Sequence, residues 1–124
     1  MTVIIGGAYQ GKTEYIKETL KVADEDIYFC TGRNIDDNAK AVVGLHMFSY
    51  GWSVFGIEPL DELRRLCPDM SGKIFVADDI SSGIVPVEPA MRQWREAHGR
   101  MMNALAKEAD SVIRLFCSIP QVIK

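Results

Sequence analysis

Residues 6–13 read GGAYQGKT, directly after the β-branched run TVII at residues 2–5 and directly before a helical pattern. Few folds accept that order. Gly6, Gly11, Lys12 and Thr13 fit the spacing G-x-x-x-x-G-K-[ST], in which backbone N–H groups wrap phosphates, the lysine reaches the outer phosphates and the hydroxyl ligates Mg²⁺. The glycines permit positive φ and close backbone approach, and the helix that follows aims its positive dipole end at an anion. A plainer reading is a tight strand-to-helix turn with Lys12 as a solvated charge. A cation at a helix N-terminus opposes the macrodipole, however, so Lys12 stands where an anionic ligand would justify it. Gly6, Gly7, Ala8, Tyr9, Gln10, Gly11, Lys12 and Thr13 are therefore read as a phosphate-binding P-loop that holds a nucleotide.

With 124 residues, 48% of them hydrophobic, the chain has enough for one core and too little for two ordinary domains. Residues 1–124 are expected to form a single P-loop nucleotide-binding domain. The net charge of −3 argues against a nucleic-acid groove, which needs a basic stripe; a free nucleotide needs none. Cys30, Cys67 and Cys117 are far apart, odd in number and without Cys/His ligand spacing, so neither a disulfide framework nor a zinc site is indicated. Cys30 and Cys117 lie in apolar runs and read as small buried hydrophobes. A reducing, cytoplasmic setting fits. No apolar stretch reaches the length of a membrane span, and the run before Gly6 is too short for a signal sequence.

Continuous apolar character at residues 2–5 marks a strand buried on both faces, as in a parallel sheet. Residues 12–23 then read as a crossover helix, with Tyr15, Ile16, Thr19, Leu20 and Ala23 at helical spacing. Residues 27–31 (IYFCT) are the next strand. Beyond them Asn34 or Asp36 is placed to cap a helix through AKAVVGLHMF, and the glycines and aromatics up to Ile57 suggest a mobile or ligand-facing excursion. PLDELRRL, from Pro59 to Leu66, reads as a short helix with proline in its first turn. Residues 73–77 (KIFVA) are a third buried strand, SSGIVPVEP a loop, residues 89–109 the longest helix, and residues 111–117 a fourth strand. Residues 121–123 read as a short fifth strand at the edge, after Pro120. The fold expected is α/β, a P-loop NTPase-like three-layer αβα arrangement with a mostly parallel sheet of four to five strands.

Asp78 and Asp79 follow the third strand, at the end where ligands collect in open α/β sheets. Two roles suit them. One of the pair holds Mg²⁺ with Thr13, matching the hard oxygen ligands this ion prefers, or both simply cap a turn. His98 falls near the apolar stripe of the long helix and reads as a satisfied structural histidine.

Taken together, GGAYQGKT, the IDD at residues 35–37, SGIVPVEP, the WREAHGR of the long helix and the closing SIPQVIK resemble one family. It is the bifunctional adenosylcobinamide kinase and adenosylcobinamide-phosphate guanylyltransferase of cobalamin biosynthesis. The resemblance implies a nucleotide-dependent transferase using Mg²⁺ with GTP or ATP, a corrinoid acceptor and a homotrimer. It also implies that His46, reached without gaps from Tyr28 through Asp36 and Asp37, is the residue that carries the guanylyl group. A neutral imidazole is a competent nucleophile toward an α-phosphorus. A histidine among Leu45, Met47 and Phe48 also reads as one that merely packs. The family's H-R-x-x-R-P pattern is absent after His46, leaving Arg33 or Arg64 as stand-ins, and the family's strand with an Asp-Cys pair is missing. Those losses favour a second reading: a regulatory or assembly protein that binds nucleotide without transferring it.

Overall fold

The computed structural model describes residues 1–8, 10–80 and 88–124. Tyr9 and residues 81–87 of the SSGIVPVEP loop lie outside the described residues. Along the chain run β1 (Thr2–Gly6), α1 (Lys12–Glu18), β2 (Ile27–Phe29), β3 (Ala41–Val43), α2 (Leu45–Ser53), α3 (Pro59–Leu66), β4 (Ile74–Asp78), α4 (Pro89–Glu108), β5 (Ser111–Phe116) and β6 (Ile119–Val122).

The strands form one α/β sheet in the order β2-β3-β4-β1-β5-β6. Every pairing is parallel except β5 with β6. Alternate residues face opposite layers, and both faces are covered. Val3, Val42, Phe75, Ala77 and Val112 pack toward α2, α3 and α4 through Leu45, Phe48, Leu63, Met101 and Leu105. Ile4, Ala41, Val76 and Ile113 pack the other way, around Ile16 of α1. The result is a three-layer αβα stack, and it explains why strands buried twice over carry no polar alternation.

Three boundaries differ from the sequence reading. The sheet has six strands among the described residues rather than four to five, chiefly because residues 41–43 are a strand and not the start of a helix. Ala41 pairs with both Ile27 and Ile74, and Val42 is fully buried. Burying a valine is worth about 1.5–3 kcal/mol, whereas its helix preference changes by less than about 0.7, so the sheet wins. Gly44 then turns the chain at φ 85°, its N–H bonds Val76 O at 3.0 Å, and α2 begins at Leu45. The aromatic stretch read as an excursion is this helix.

The first helix is also shorter than expected. Lys21 adopts φ 58°, and the Val22 N–H closes back on Ile16 O at 3.0 Å, which tucks Val22 into the core and ends the turn. The third difference lies at the far end. Cys117 is exposed, not buried, because it and Ser118 form a two-residue hairpin turn with φ 50° and 63° between β5 and β6. Pro120 lies within β6, on the sheet edge where its missing N–H costs no ladder bond. No helix among the described residues is long and apolar enough to cross a membrane.

Candidate functional site

β1 sits between β4 and β5, and its last residue, Gly6, is in register with Asp78 of β4 and Leu115 of β5. Strand order reverses about this point, so the carboxyl ends of β1 and β4 open into one crevice. The register also explains Gly6. A Cβ there would stand 2.6 Å from the Leu115 backbone oxygen, so only glycine lets the sheet continue to the loop.

The loop leaves β1 at Gly7 and re-enters regular structure at Gly11, whose φ of 83° starts α1. Two hydrogen bonds moor it to the hairpin: the Ser118 N–H donates to Gln10 O at 3.1 Å, and the Cys117 N–H donates to Gln10 Oε1. Gln10 thus ties the loop to β5 and β6, a role that its place in the motif does not announce. The paired turn residues with positive φ are conformationally costly, a cost that anchoring the loop offsets.

Lys12 is 8% exposed. Its Nζ donates to Gly7 O at 2.5 Å and Gly6 O at 3.3 Å and forms an ion pair with Asp78 Oδ1 at 2.8 Å. The cation that stood against the helix dipole in sequence is therefore neutralised by a carboxylate and two carbonyls. A cavity of about 370 Å³ opens beside it, lined by Gln10, Gly11, Lys12, Thr13, His46 and Asp78 among others. Tyr9 lies outside the described residues; Ala8 also lines this cavity, while Gly6 and Gly7 touch the site through the carbonyls that hold Lys12.

His46 stands at the first turn of α2, set there by Gly44. The Asp78 backbone N–H donates to its Nδ1 at 3.1 Å, and Nε2 lies 3.5 Å from Asp78 Oδ2. A ring that accepts at Nδ1 and is neutral carries its proton on Nε2, so His46 faces the cavity as a donor. Burial pushes its pKa down; the Asp78 charge raises it and Lys12 lowers it.

Asp78 and Asp79 part company. Asp78 lines the loop cavity, while Asp79 borders a second cavity, of about 210 Å³, on the α4 side of β1 and β4. Asp78 lines that cavity as well, so the two spaces meet at this residue. Among the described residues no three His, Cys, Asp or Glu side chains come close enough to form a metal cage. Thr13 and Asp78 on one cavity instead match the sparse protein set that Mg²⁺ uses when phosphates supply its other ligands.

The second cavity was not foreseen. His98 lines it and is 5% exposed. Its Nδ1 lies 2.7 Å from Ser49 Oγ, which also accepts from Trp94 Nε1 at 2.9 Å and donates to His46 O at 3.0 Å. The Ser49 hydroxyl thus links His98 to the His46 carbonyl and to the Trp94 indole. Burial drives the His98 pKa down to about 4, and the nearby His46 adds to this, so the ring is neutral. Neither arginine stand-in reaches the loop cavity. Arg64 pairs with Glu108 at 2.6 Å, and Arg33 stacks on Trp52 and Phe55 with centroid distances of 5.4 and 4.8 Å.

Comparison with known proteins points one way. The family described as cobinamide kinase / cobinamide phosphate guanyltransferase matches residues 57–123, more than half of the chain. The match takes in α3, β4, α4, β5 and β6; the P-loop motif and His46 precede it. No curated protein matches.

Proposed function

Because the chain belongs to the cobinamide kinase / cobinamide phosphate guanyltransferase family of cobalamin biosynthesis, we propose that it binds GTP or ATP in the loop cavity and transfers the terminal phosphoryl group to a cobinamide-class acceptor. The observation that carries this reading is the ion pair of Lys12 with Asp78, 2.8 Å apart, at the mouth of a 370 Å³ cavity whose floor is the G-x-x-x-x-G-K-T loop. A triphosphate entering there gives Lys12 a stronger anionic partner and releases the Asp78 carboxylate. Thr13 and Asp78 would hold Mg²⁺, which when bound neutralises charge on the transferring phosphoryl group. Asp78 is favoured over Asp79 because it shares the cavity with Thr13. The loop amides and the N-terminal end of α1 bind the phosphates, and His46 Nε2–H adds a donor on the opposite wall.

Guanylyl transfer through His46 is less well supported by this geometry. Nδ1 is engaged by the Asp78 N–H, and Nε2 would have to lose its proton before attacking an α-phosphorus. A second reading, a regulatory or assembly protein that binds nucleotide without transferring it, draws on the distance of Arg33 and Arg64 from the loop cavity.

Labelled nucleotides separate these readings. Incubation with adenosylcobinamide and GTP or ATP labelled at the γ-phosphate should move label to the corrinoid. GTP labelled at the α-phosphate should leave no acid-labile adduct on the denatured protein; an adduct that disappears in His46→Ala would restore the guanylyltransferase role. Tight nucleotide binding with no transfer of either label would leave the regulatory reading.

A further inference from the structure

The turn between β5 and β6 offers two hydrogen-bond donors, and both end on one residue of the GGAYQGKT loop. Cys117 and Ser118 take φ of 50° and 63°, values that asparagine or glycine usually supply, while Phe116 and Ile119 pair on either side of them. A two-residue turn of this kind leaves the N–H groups of its central residues outside the strand ladder, side by side at the tip. Gln10 takes both. Its main-chain oxygen accepts from Ser118 at 3.1 Å, and its side-chain oxygen accepts from Cys117. The side chain reaches this place by folding back over the start of the loop, where its Cγ lies 3.5 Å from the position of a Cβ built on Gly7. Ser118 Oγ stands only 2.5 Å from the corresponding position on Gly11, so the hairpin also abuts the residue that follows Gln10.

This clamp decides which way one peptide faces. The bond between Gln10 and Gly11 is trans, so its N–H points opposite to its C=O. With the C=O drawn to the hairpin, the Gly11 N–H points away from it. The sheet order sets β5 and β6 on one side of β1 and sets β4 and β3 on the other. Val43, Gly44 and Asp78, from that other side, line the loop cavity together with Gly11. The N–H is therefore turned to the cavity, and the carbonyl that would repel an anion is turned out of it. Gly6 and Gly7 differ, because their carbonyls are held by Lys12 Nζ within the loop itself.

We infer that Gln10 is a positioning residue of the phosphate site: by holding both N–H groups at the hairpin tip it aims the Gly11 amide at a phosphoryl oxygen, and it makes the β5–β6 hairpin part of that site. The inference rests on reading the loop as phosphate-binding. Two anchors on one residue leave the peptide no freedom to swing, and an amide already aimed binds without the ordering that a swinging one would need. Coupling of this kind is reciprocal, so a phosphate held by the loop must in turn steady the hairpin tip.

The test uses inorganic tripolyphosphate and a non-hydrolysable GTP analogue as probes on the whole chain. In Gln10→Ala, which removes the side-chain anchor, affinity for both should fall by about tenfold. The nitrogen-15 spectrum of the native protein should show the Gly11 amide moving when tripolyphosphate is added. Amide hydrogen exchange gives a readout that a merely structural role does not move: tripolyphosphate should slow exchange at Cys117 and Ser118 in the native chain, and should lose that effect in Gln10→Ala. Undiminished tripolyphosphate binding by Gln10→Ala, an unmoved Gly11 amide, or exchange at the tip that ignores the probe overturns the role of Gln10, and the nucleotide site survives where the GTP analogue still binds. Tripolyphosphate binding that Gln10→Ala weakens, in a protein that moves no label from GTP or ATP to cobinamide, upholds the role and overturns the transfer proposed above. A native chain that binds neither probe overturns both.

Discussion

The two cavities that meet at Asp78 are built from different material. The loop cavity is largely main chain: the turn at Gly11, the carbonyls of Gly6 and Gly7 that hold Lys12, and the peptide of Gln10 held by the hairpin shape it, with Lys12, Glu14, His46 and Asp78 as its charged or titratable contributors among the described residues. The cavity beside α4 is lined by residues of α4 together with Ile5 of β1 and the end of β4. A main-chain site is specified by backbone conformation and fails when one glycine changes. A side-chain site is specified by a list of residues and is retuned by any of them.

The sharpest way to break the comparison is Gly6→Ala. If the loop cavity depends on the backbone as described, a methyl placed 2.6 Å from the Leu115 carbonyl oxygen must part β1 from β5, and overpacking of this kind costs about 3 kcal/mol. Urea unfolding should give a correspondingly lower midpoint, and an unchanged midpoint would show that the sheet accommodates the methyl freely.

A pH effect of similar size belongs to the other cavity. His98 has its pKa lowered to about 4 when folded, against about 6.5 when unfolded, so between those values the unfolded chain binds a proton that the folded ring refuses. Stability from this group is therefore complete above about pH 6.5 and declines as the pH falls toward 4, by on the order of 3 kcal/mol. Thermal unfolding of the native protein and of His98→Gln across that window should diverge in slope, the variant being flatter. Parallel curves would mean that His98 is not the group responsible.

Lys12→Ala tests the main-chain site through its lysine. Loss of a charge-assisted contact to phosphate should weaken GTP or ATP binding by about 1.5–3 kcal/mol, measurable by calorimetry, and unchanged affinity would refute the phosphate role of the loop. The smallest effect carries the opposite sign. Gly99→Ala should stabilise the protein by about 0.5–1 kcal/mol, because this glycine, unlike Gly6, has no neighbour that demands it.

How much of this was legible in the chain depends on how local the cause is. The GGAYQGKT loop, the helix PLDELRRL and the long helix from Pro89 carry their own signals, a motif, a proline at N1 and a helical stripe. Strand β3 does not. Three residues become a strand because Ile27 and Ile74 flank them, and nothing within AVV records that. The hairpin at Cys117 was missed for another reason: such turns usually carry Asn or Gly, and this one bends at Cys-Ser. The cavity beside α4 was least legible of all. Ile5, Asp79 and His98 come from three distant elements, and only the β1–β4 register and the crossing of α4 over it bring them to one wall.

The position of β1 has a consequence for how the molecule assembles. It is made before both of its neighbours, yet it is the strand they flank, pairing with residues that begin at Ile74 on one side and Ser111 on the other. Its apolar residues therefore wait unpaired while most of the domain is synthesised, and their contacts span long stretches of sequence, the kind that slow folding because loop closure must precede the reward. The GGAYQGKT loop, written in the opening residues, acquires its foundation only when the hairpin that reaches Gln10 has formed. A chain interrupted before Phe116 would carry the whole motif and have nowhere to set it.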